Sequence, residues 1–192
     1  IDYWFITTGS LWRRDELKEL KYEMNGEGEA KLTADRNAGK VVKCIIIRCY
    51  KTGCIFAHVV PCKGLDEDNY VLNLVVSAVA WLGHAKLILK SDGEAAITKL
   101  VRRSLEEIKC NVEGIDTATS EESHPYDSQA NGGTEVGIRN VRGLFRSLKL
   151  GLEERIGNQL PPSHPLTPWI LEHTALLLNA CTRGTDGKTS WE

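Results

Sequence analysis

Short runs of apolar residues along the chain are typical of β-strands. They are rich in β-branched and aromatic side chains, which favour strands. A hairpin turn, Lys51-Thr52-Gly53, separates the second run from the third. The fourth run is continuously apolar and ends at Ser91-Asp92-Gly93. The predicted strands are residues 1–7, 41–50, 54–61, 85–90 and a weaker edge strand at 111–117.

Longer segments repeat their apolar residues every three or four positions, which predicts amphipathic helices. The clearest stripe consists of Ile138, Val141, Phe145, Leu148 and Leu152. A break at Leu160-Pro161-Pro162 separates this helix from the last one. The predicted helices are residues 68–82, 94–109, 131–152 and 165–181.

Two segments fit neither pattern. Residues 8–40 mix charges of both signs with glycines, and we predict a surface insertion that holds a short helix. Residues 118–130 are polar and rich in turn formers, and we predict a loop. The order of the remaining elements indicates an α/β fold with a mixed sheet. We predict one domain over 1–192, with 160–192 as a C-terminal helical extension.

The composition of the chain argues against several classes of protein. The chain has 192 residues, of which 42% are apolar, so it is long and apolar enough to form a core. A net charge of −2 argues against nucleic-acid binding by bulk positive potential, although local basic stripes remain possible. The six cysteines form no CxxC pair, and we interpret the four in apolar, strand-like surroundings as small hydrophobes in a reducing compartment. The chain begins with Ile1 inside a strand-like run, so we expect a segment of a longer polypeptide.

Three acidic residues stand out by position. Asp2 lies in the first apolar strand, where a charged carboxylate is costly unless it is paired or bound to a metal. Asp92 follows a buried strand, at the kind of strand end where α/β proteins present functional groups. Glu135 comes early in the clearest helix, after a glycine-containing segment. Three carboxylates of this kind suggest a site for hard divalent cations.

The helix that carries Glu135 also carries basic residues. At roughly 100° per residue, Glu135 falls within a stripe whose basic members lie beside the apolar stripe. A carboxylate there can face a metal while its helix lays positive charge along a phosphate backbone. The basic members of the stripe are Arg139, Arg142, Arg146 and Lys149.

Each of these features also has an ordinary structural explanation. The position of Asp2 is consistent with a frayed terminal residue that has no functional role. Asp92 fits a helix N-cap or a turn residue. Glu135 and Arg139 fit a surface ion pair four residues apart, and the basic stripe fits a solvated helix face.

Several segments resemble the catalytic core of retroviral-type integrases, most closely those of copia-like LTR retrotransposons. These segments are I-D-Y-W-F-I-T, T-G-C-I-F-A-H-V-V-P, L-I-L-K-S-D-G-E, and S-Q-A-N-G-G-T-E followed by R-N-V-R-G-L-F-R-S-L-K. The resemblance extends over the whole chain except the insertion 8–40. It implies the ribonuclease H-like fold, with a mixed five-stranded sheet whose first three strands are antiparallel.

The resemblance also implies a function. Asp2, Asp92 and Glu135 match the family's acidic triad, which holds two Mg²⁺ or Mn²⁺ ions for DNA 3′-end processing and strand transfer. Gln129 and Asn131, with Gly132 and Gly133, would form a mobile loop that touches the DNA end. The partners would be double-stranded DNA (element ends and target) and further copies of the chain, in the nucleus and the retrotransposon particle. The candidate phosphate contacts are Arg139, Arg142 and Lys149.

The spacing of the triad departs from the family. The segment 3–91 is longer than such cores usually carry, and the insertion 8–40 accounts for the excess. The segment 93–134 is also slightly long, and the loop after residue 117 absorbs the difference. If the insertion is misplaced, Asp35 becomes the rival first acid.

Two other functions compete with integration. An inactive retroelement remnant would keep the fold and serve only as a DNA-binding or assembly module. A ribonuclease H-type hydrolase would use similar acids, but the S-Q-A-N-G-x-x-E segment and the missing fourth acid of that group count against it. All three triad acids are present, which favours the integrase.

Overall fold

A computed structural model describes residues 1–7, 38–91, 93–122, 132–184 and 186–192. Most of the predicted insertion 8–40, with its short helix and the rival Asp35, lies outside these residues. The same is true of the site candidates Asp92, Gln129 and Asn131. Predictions that fall on these positions remain predictions.

The described elements follow the predicted order and lie close to the predicted bounds. The strands are β1 (Asp2–Thr7), β2 (Val41–Arg48), β3 (Ile55–Val60), β4 (Lys86–Ser91) and β5 (Thr117–Glu122). The helices are α1 (Tyr70–Leu82), α2 (Ala95–Asn111), α3 (Gly132–Ile156) and α4 (Leu166–Cys181). None of the described helices is both long enough and apolar enough to cross a membrane.

The position of β5 differs from the prediction. Helix α2 continues to Asn111, a turn with Gly114 at φ 79° follows, and the strand runs from Thr117 to Glu122. The edge strand predicted at 111–117 is therefore wrong, and so is the beginning of the loop predicted at 118–130. A polar segment forms this strand because it pairs in parallel with β4, from Lys86↔Thr117 onward, while Ala118 is the only buried side chain among those that the structure describes in it. Long-range pairing outweighs local composition here.

The strands pair in two groups. β1, β2 and β3 form an antiparallel sheet in that order, as predicted, and β4 and β5 form a parallel pair. The single five-stranded sheet is not confirmed. The two groups nevertheless meet, because the main-chain nitrogen of Ile1 donates a hydrogen bond of 2.7 Å to the carbonyl oxygen of Lys90. The start of β1 thus lies beside the end of β4.

Side chains of the three-stranded sheet alternate between two hydrophobic cores, because successive residues of a strand point to opposite faces. The first core lies between the sheet and α1, α2, β4 and β5, and the second between the sheet and α3 and α4. Sheet residues of the first core include Ile1, Tyr3, Ile45, Ile47 and Val60. Those of the second core include Trp4, Ile6, Cys44, Ile46, Ile55 and Ala57.

Two contacts anchor helices on the second face. The rings of Trp4 and Phe145 meet edge to face, with centroids 5.7 Å apart, which fixes α3 against β1. The side chain of Asn179 in α4 bonds to the main chain of Ile55 in both directions: its Oδ1 accepts from the amide and its Nδ2 donates to the carbonyl, each at 2.8 Å. The helix therefore satisfies main-chain groups of β3, which is the outer strand of this sheet among the described residues.

The six cysteines have free thiols. Cys44 and Cys54 are fully buried. Burial, together with the neighbouring Cys49, raises the pKa of the Cys54 thiol to about 11, and burial raises the pKa of Cys44 further. Both residues therefore stay neutral and pack as small apolar groups.

Candidate active site

Asp2 lies near the end of the sheet where β1 begins. It pairs with Ile46 of β2 and occupies the same face of β1 as Trp4 and Ile6. Its side chain therefore belongs to the face that α3 covers, and it is partly buried. The main-chain N–H of Tyr3 donates a hydrogen bond of 2.7 Å to Oδ1 of Asp2.

The end of β4 lies beside this residue. Ser91, the last residue of β4, is buried, and the hydrogen bond between Ile1 and Lys90 holds the neighbouring main chains together. Asp92 itself lies outside the described residues, but it directly follows Ser91 in the chain. The backbone thus brings Asp2 next to the residues that precede Asp92.

The first turn of α3 packs on the end of β2 and the residues that follow it. The guanidinium of Arg48 donates to the carbonyl oxygen of Gly133, and the hydroxyls of Tyr50 and Thr134 lie 3.2 Å apart. A Cβ atom on Gly133 would overlap the Tyr50 ring, and one on Gly137 would lie 3.1 Å from Cδ of Arg48. These two glycines permit the close approach of the helix to β2.

This packing corrects the interpretation of the glycine pair. Gly132 and Gly133 begin α3, rather than forming part of a mobile loop before it. Arg48 and Tyr50, which position the helix, are not among the predicted site residues. Their only sequence signal is their place at the end of a predicted strand, just before the turn Lys51-Thr52-Gly53.

Glu135 lies in the first turn of α3 and is exposed. A carboxylate is favoured there because the N-terminal end of a helix carries partial positive charge. The turn sits over Arg48, and Arg48 is two residues along β2 from Ile46, the pairing partner of Asp2. Two residues of a strand span about 7 Å. Asp2 and Glu135 therefore belong to the same end of the same face of the sheet.

The donor chemistry at this end of the sheet suits a hard divalent cation. Asp2 and Glu135 offer carboxylate oxygens, which Mg²⁺ and Mn²⁺ prefer. No group of three His, Cys, Asp or Glu side chains that could hold a metal occurs within the part of the chain that the structure describes. A third ligand at Asp92 would complete the set, and its geometry remains a prediction.

The basic stripe on α3 is shorter than predicted. Arg139 and Arg142 are exposed, whereas Lys149 is buried and its Nζ lies 2.6 Å from Oε1 of Glu153. The same oxygen of Glu153 accepts a hydrogen bond of 2.6 Å from the amide of Leu160. Lys149 thus joins α3 to the segment that follows it, and the predicted phosphate contact at this residue is wrong.

A signal for the burial of Lys149 was present in the sequence. Lys149 follows Val141 and Phe145 at intervals of four residues, and both of these are buried. At roughly 100° per residue, Lys149 lies only about 40° from Phe145 around the helix. A lysine so close to the apolar stripe needs a buried partner, and Glu153, one turn later, supplies it.

Comparison with solved structures identifies the fold. A chain of the simian T-cell lymphotropic virus intasome, in a structure with PP2A regulatory subunit B56 gamma, is similar over 79% of this chain, with a TM-score of 0.58 and 14% identity. The similar region is 47% of that chain, so the present sequence spans about half its length. The catalytic core domain of BIV integrase gives a TM-score of 0.46 and 18% identity, over 78% of this chain and 83% of that one.

The comparison with the intasome chain shows an integrase-like α/β fold. No protein-family model matches the sequence, and no curated protein matches it. Function therefore has to be argued from the residues of the site.

Proposed function

We propose that this chain is the catalytic core of an integrase, of the copia-like retrotransposon type, that carries out DNA 3′-end processing and strand transfer. One observation supports the proposal: Ile1, next to Asp2, bonds to the end of β4, and the first turn of α3 packs on Arg48 at the same end of the sheet. The integrase-like fold and the segments S-D-G-E and S-Q-A-N-G-G-T-E support the same function.

Asp2, Asp92 and Glu135 would hold the metal, Mg²⁺ or Mn²⁺. A pair of such ions, when bound, activates the attacking oxygen and stabilises the leaving oxygen of an in-line phosphoryl transfer. The acids come from three separate elements, so the fold itself assembles the ligand set. Arg48 has a positioning role, because its bond to Gly133 fixes the turn that carries Glu135.

The DNA would approach along the exposed part of α3. Arg139 and Arg142 project from the helix that carries Glu135, and both are exposed. Each phosphate contact would add about one unit to the salt dependence of binding. Gln129 and Asn131, just before α3, would contact the DNA end.

The proposed partners follow from this reaction. They are the two ends of a retroelement, a target duplex and further copies of this chain in an oligomer. The proposed places of action are the retrotransposon particle and the nucleus.

Metal-dependent thermal stability tests the proposal without requiring turnover. At a concentration one hundred times Kd, a bound ion adds about 2.7 kcal/mol of stability, which is roughly 5–10 °C in Tm for a chain of this size. We expect Mn²⁺ to raise the Tm of the parent chain and to have little effect on the variants Asp2→Asn, Asp92→Asn and Glu135→Gln.

Glu113→Gln provides the matched control, because Glu113 is an exposed acid in the turn between α2 and β5. It should respond to Mn²⁺ like the parent chain. A parent chain that shows no response to Mn²⁺ or Mg²⁺ would favour the alternative, an inactive retroelement remnant that serves only as a DNA-binding or assembly module.

A further inference from the structure

A groove of about 630 Å³ lies outside the proposed acidic site. The turn after β2, helix α3 and the C-terminal segment after α4 line it. We name it the hairpin–tail groove. Four basic residues line it: Arg48, Lys51, Arg183 and Lys188.

The charge of the groove differs from that of the whole chain, which is −2. The two acids in its lining, Asp186 and Glu192, each accept a hydrogen bond from the main chain of the C-terminal segment: from the amide of Lys188 at 3.1 Å and from that of Thr189 at 2.8 Å. None of the four basic residues forms an ion pair within the described ranges. The groove therefore carries a surplus of positive charge.

The groove also offers hydrogen-bond donors that suit phosphate oxygens. The amide of Asn140 and the hydroxyls of Thr52 and Ser190 lie in its lining. Nε of Arg48 is buried and has no hydrogen-bond partner among the described residues. Cations mixed with neutral donors are typical of surfaces that hold a nucleic-acid backbone.

The groove reaches the helix of the proposed active site. Arg48 lines the groove and donates a hydrogen bond to the carbonyl oxygen of Gly133, in the first turn of α3. A duplex backbone that lies in the groove would thus extend to the first turn of α3.

We propose that the hairpin–tail groove binds the phosphate backbone of the DNA on which the acidic site acts. This assignment rests on the proposed function and adds the place where the duplex lies. The basic residues come from both walls, Lys51 from the turn after β2 and Lys188 from the C-terminal segment. One extended anionic strand fits between these two basic walls.

Binding of a fluorescent duplex without divalent metal tests the assignment. Fluorescence anisotropy, measured from about 50 to 200 mM salt, compares the parent chain with the double variant Lys51→Ala/Lys188→Ala. Each lost phosphate contact lowers the slope of log K against log salt by about 0.9. We expect the slope to fall by nearly two, and binding at the lowest salt to weaken by about tenfold for each lysine.

The double variant Lys99→Ala/Lys109→Ala is the matched control. Both residues are exposed on α2, which packs on the other face of the sheet. It should bind like the parent chain. The assignment would be overturned if the Lys51/Lys188 variant showed unchanged duplex affinity and an unchanged slope of log K against log salt. It would also be overturned if polyglutamate competed for the labelled duplex as strongly as unlabelled duplex does.

The outcome is separable from that of the proposed function. The groove variants leave Asp2, Asp92 and Glu135 intact, so the rise in Tm with Mn²⁺ should persist in them. If that rise persists while duplex binding is unaffected, the groove assignment fails alone. If the groove variants lose duplex binding while no variant responds to metal, the groove stands and the catalytic proposal fails.

Discussion

Strands β1, β2 and β3 carry helices on both faces, and the two faces are built with different chemistry. The first core consists almost entirely of aliphatic side chains from the sheet, α1 and α2. The helices of the second face bury five polar or charged residues among their apolar contacts. These residues are Thr134, Lys149, Thr167, Thr174 and Asn179.

This difference coincides with the location of the proposed site. Asp2 and the first turn of α3 belong to the second face, whereas α1 and α2 close the first with mainly apolar packing, in which Ser104 of α2 is the one buried polar residue among the described positions of these two helices. The free energy of unfolding on the second face therefore depends on hydrogen bonds and ion pairs between buried polar groups. This is because a buried polar group that loses its partner costs more free energy than the loss of an apolar contact. Substitutions that remove one partner of a pair test the comparison most sharply.

The largest expected effect on stability is that of Lys149→Met. This change leaves the carboxylate of Glu153, whose side chain is only 10% exposed, without its cation. Breaking a buried pair in this way costs about 3–5 kcal/mol in the free energy of unfolding. Urea unfolding measures the loss.

The double variant Lys149→Met/Glu153→Gln should recover most of that stability, because glutamine keeps an acceptor for the amide of Leu160. Arg142→Ala, an exposed change on the same helix, should stay within about 0.5 kcal/mol of the parent chain. A cost below about 1 kcal/mol for Lys149→Met would show that the Lys149–Glu153 pair is solvated. It would contradict the claim that buried polar pairs stabilise the second face.

A smaller effect is expected for Asn179→Ala. The change leaves the amide and the carbonyl of Ile55 buried without partners, at about 1–2 kcal/mol for each of these neutral groups. We expect a total loss of about 2–4 kcal/mol in urea unfolding, with faster hydrogen exchange at the amide of Ile55. Asn73→Ala, at an exposed position of α1, is the control. Unchanged exchange at Ile55 would contradict the assigned role.

The elements with strong periodicity could be predicted from the sequence. Strands β1 to β4 and all four described helices come from apolar patterns that local composition alone makes clear. Strand β5 could not be predicted in this way, because its residues are polar and its partner, β4, lies one helix away in the chain. Pairing between distant segments carries no local signal.

The residues of the candidate site also divide into those that the sequence predicts and those that it does not. Asp2 could be selected because a carboxylate in an apolar strand is unusual, and Glu135 because it lies among basic residues beside the apolar stripe of its helix. Arg48 and Tyr50 could not, because their role depends on the helix that packs against them. The predicted phosphate contact at Lys149 is wrong because its spacing from Phe145 places this lysine beside the apolar stripe. Asp92, Gln129 and Asn131 stay predictions.

The most direct measurement is an oligonucleotide strand-transfer assay with Mn²⁺, which compares the parent chain, Glu135→Gln and the control Glu113→Gln. A carboxylate that holds a catalytic ion contributes several kcal/mol to the stabilisation of the transition state, so its loss lowers the rate by about a hundredfold or more. We predict product from the parent and the control, and at least that reduction for Glu135→Gln. Equal amounts of product from the parent chain and Glu135→Gln would contradict the account.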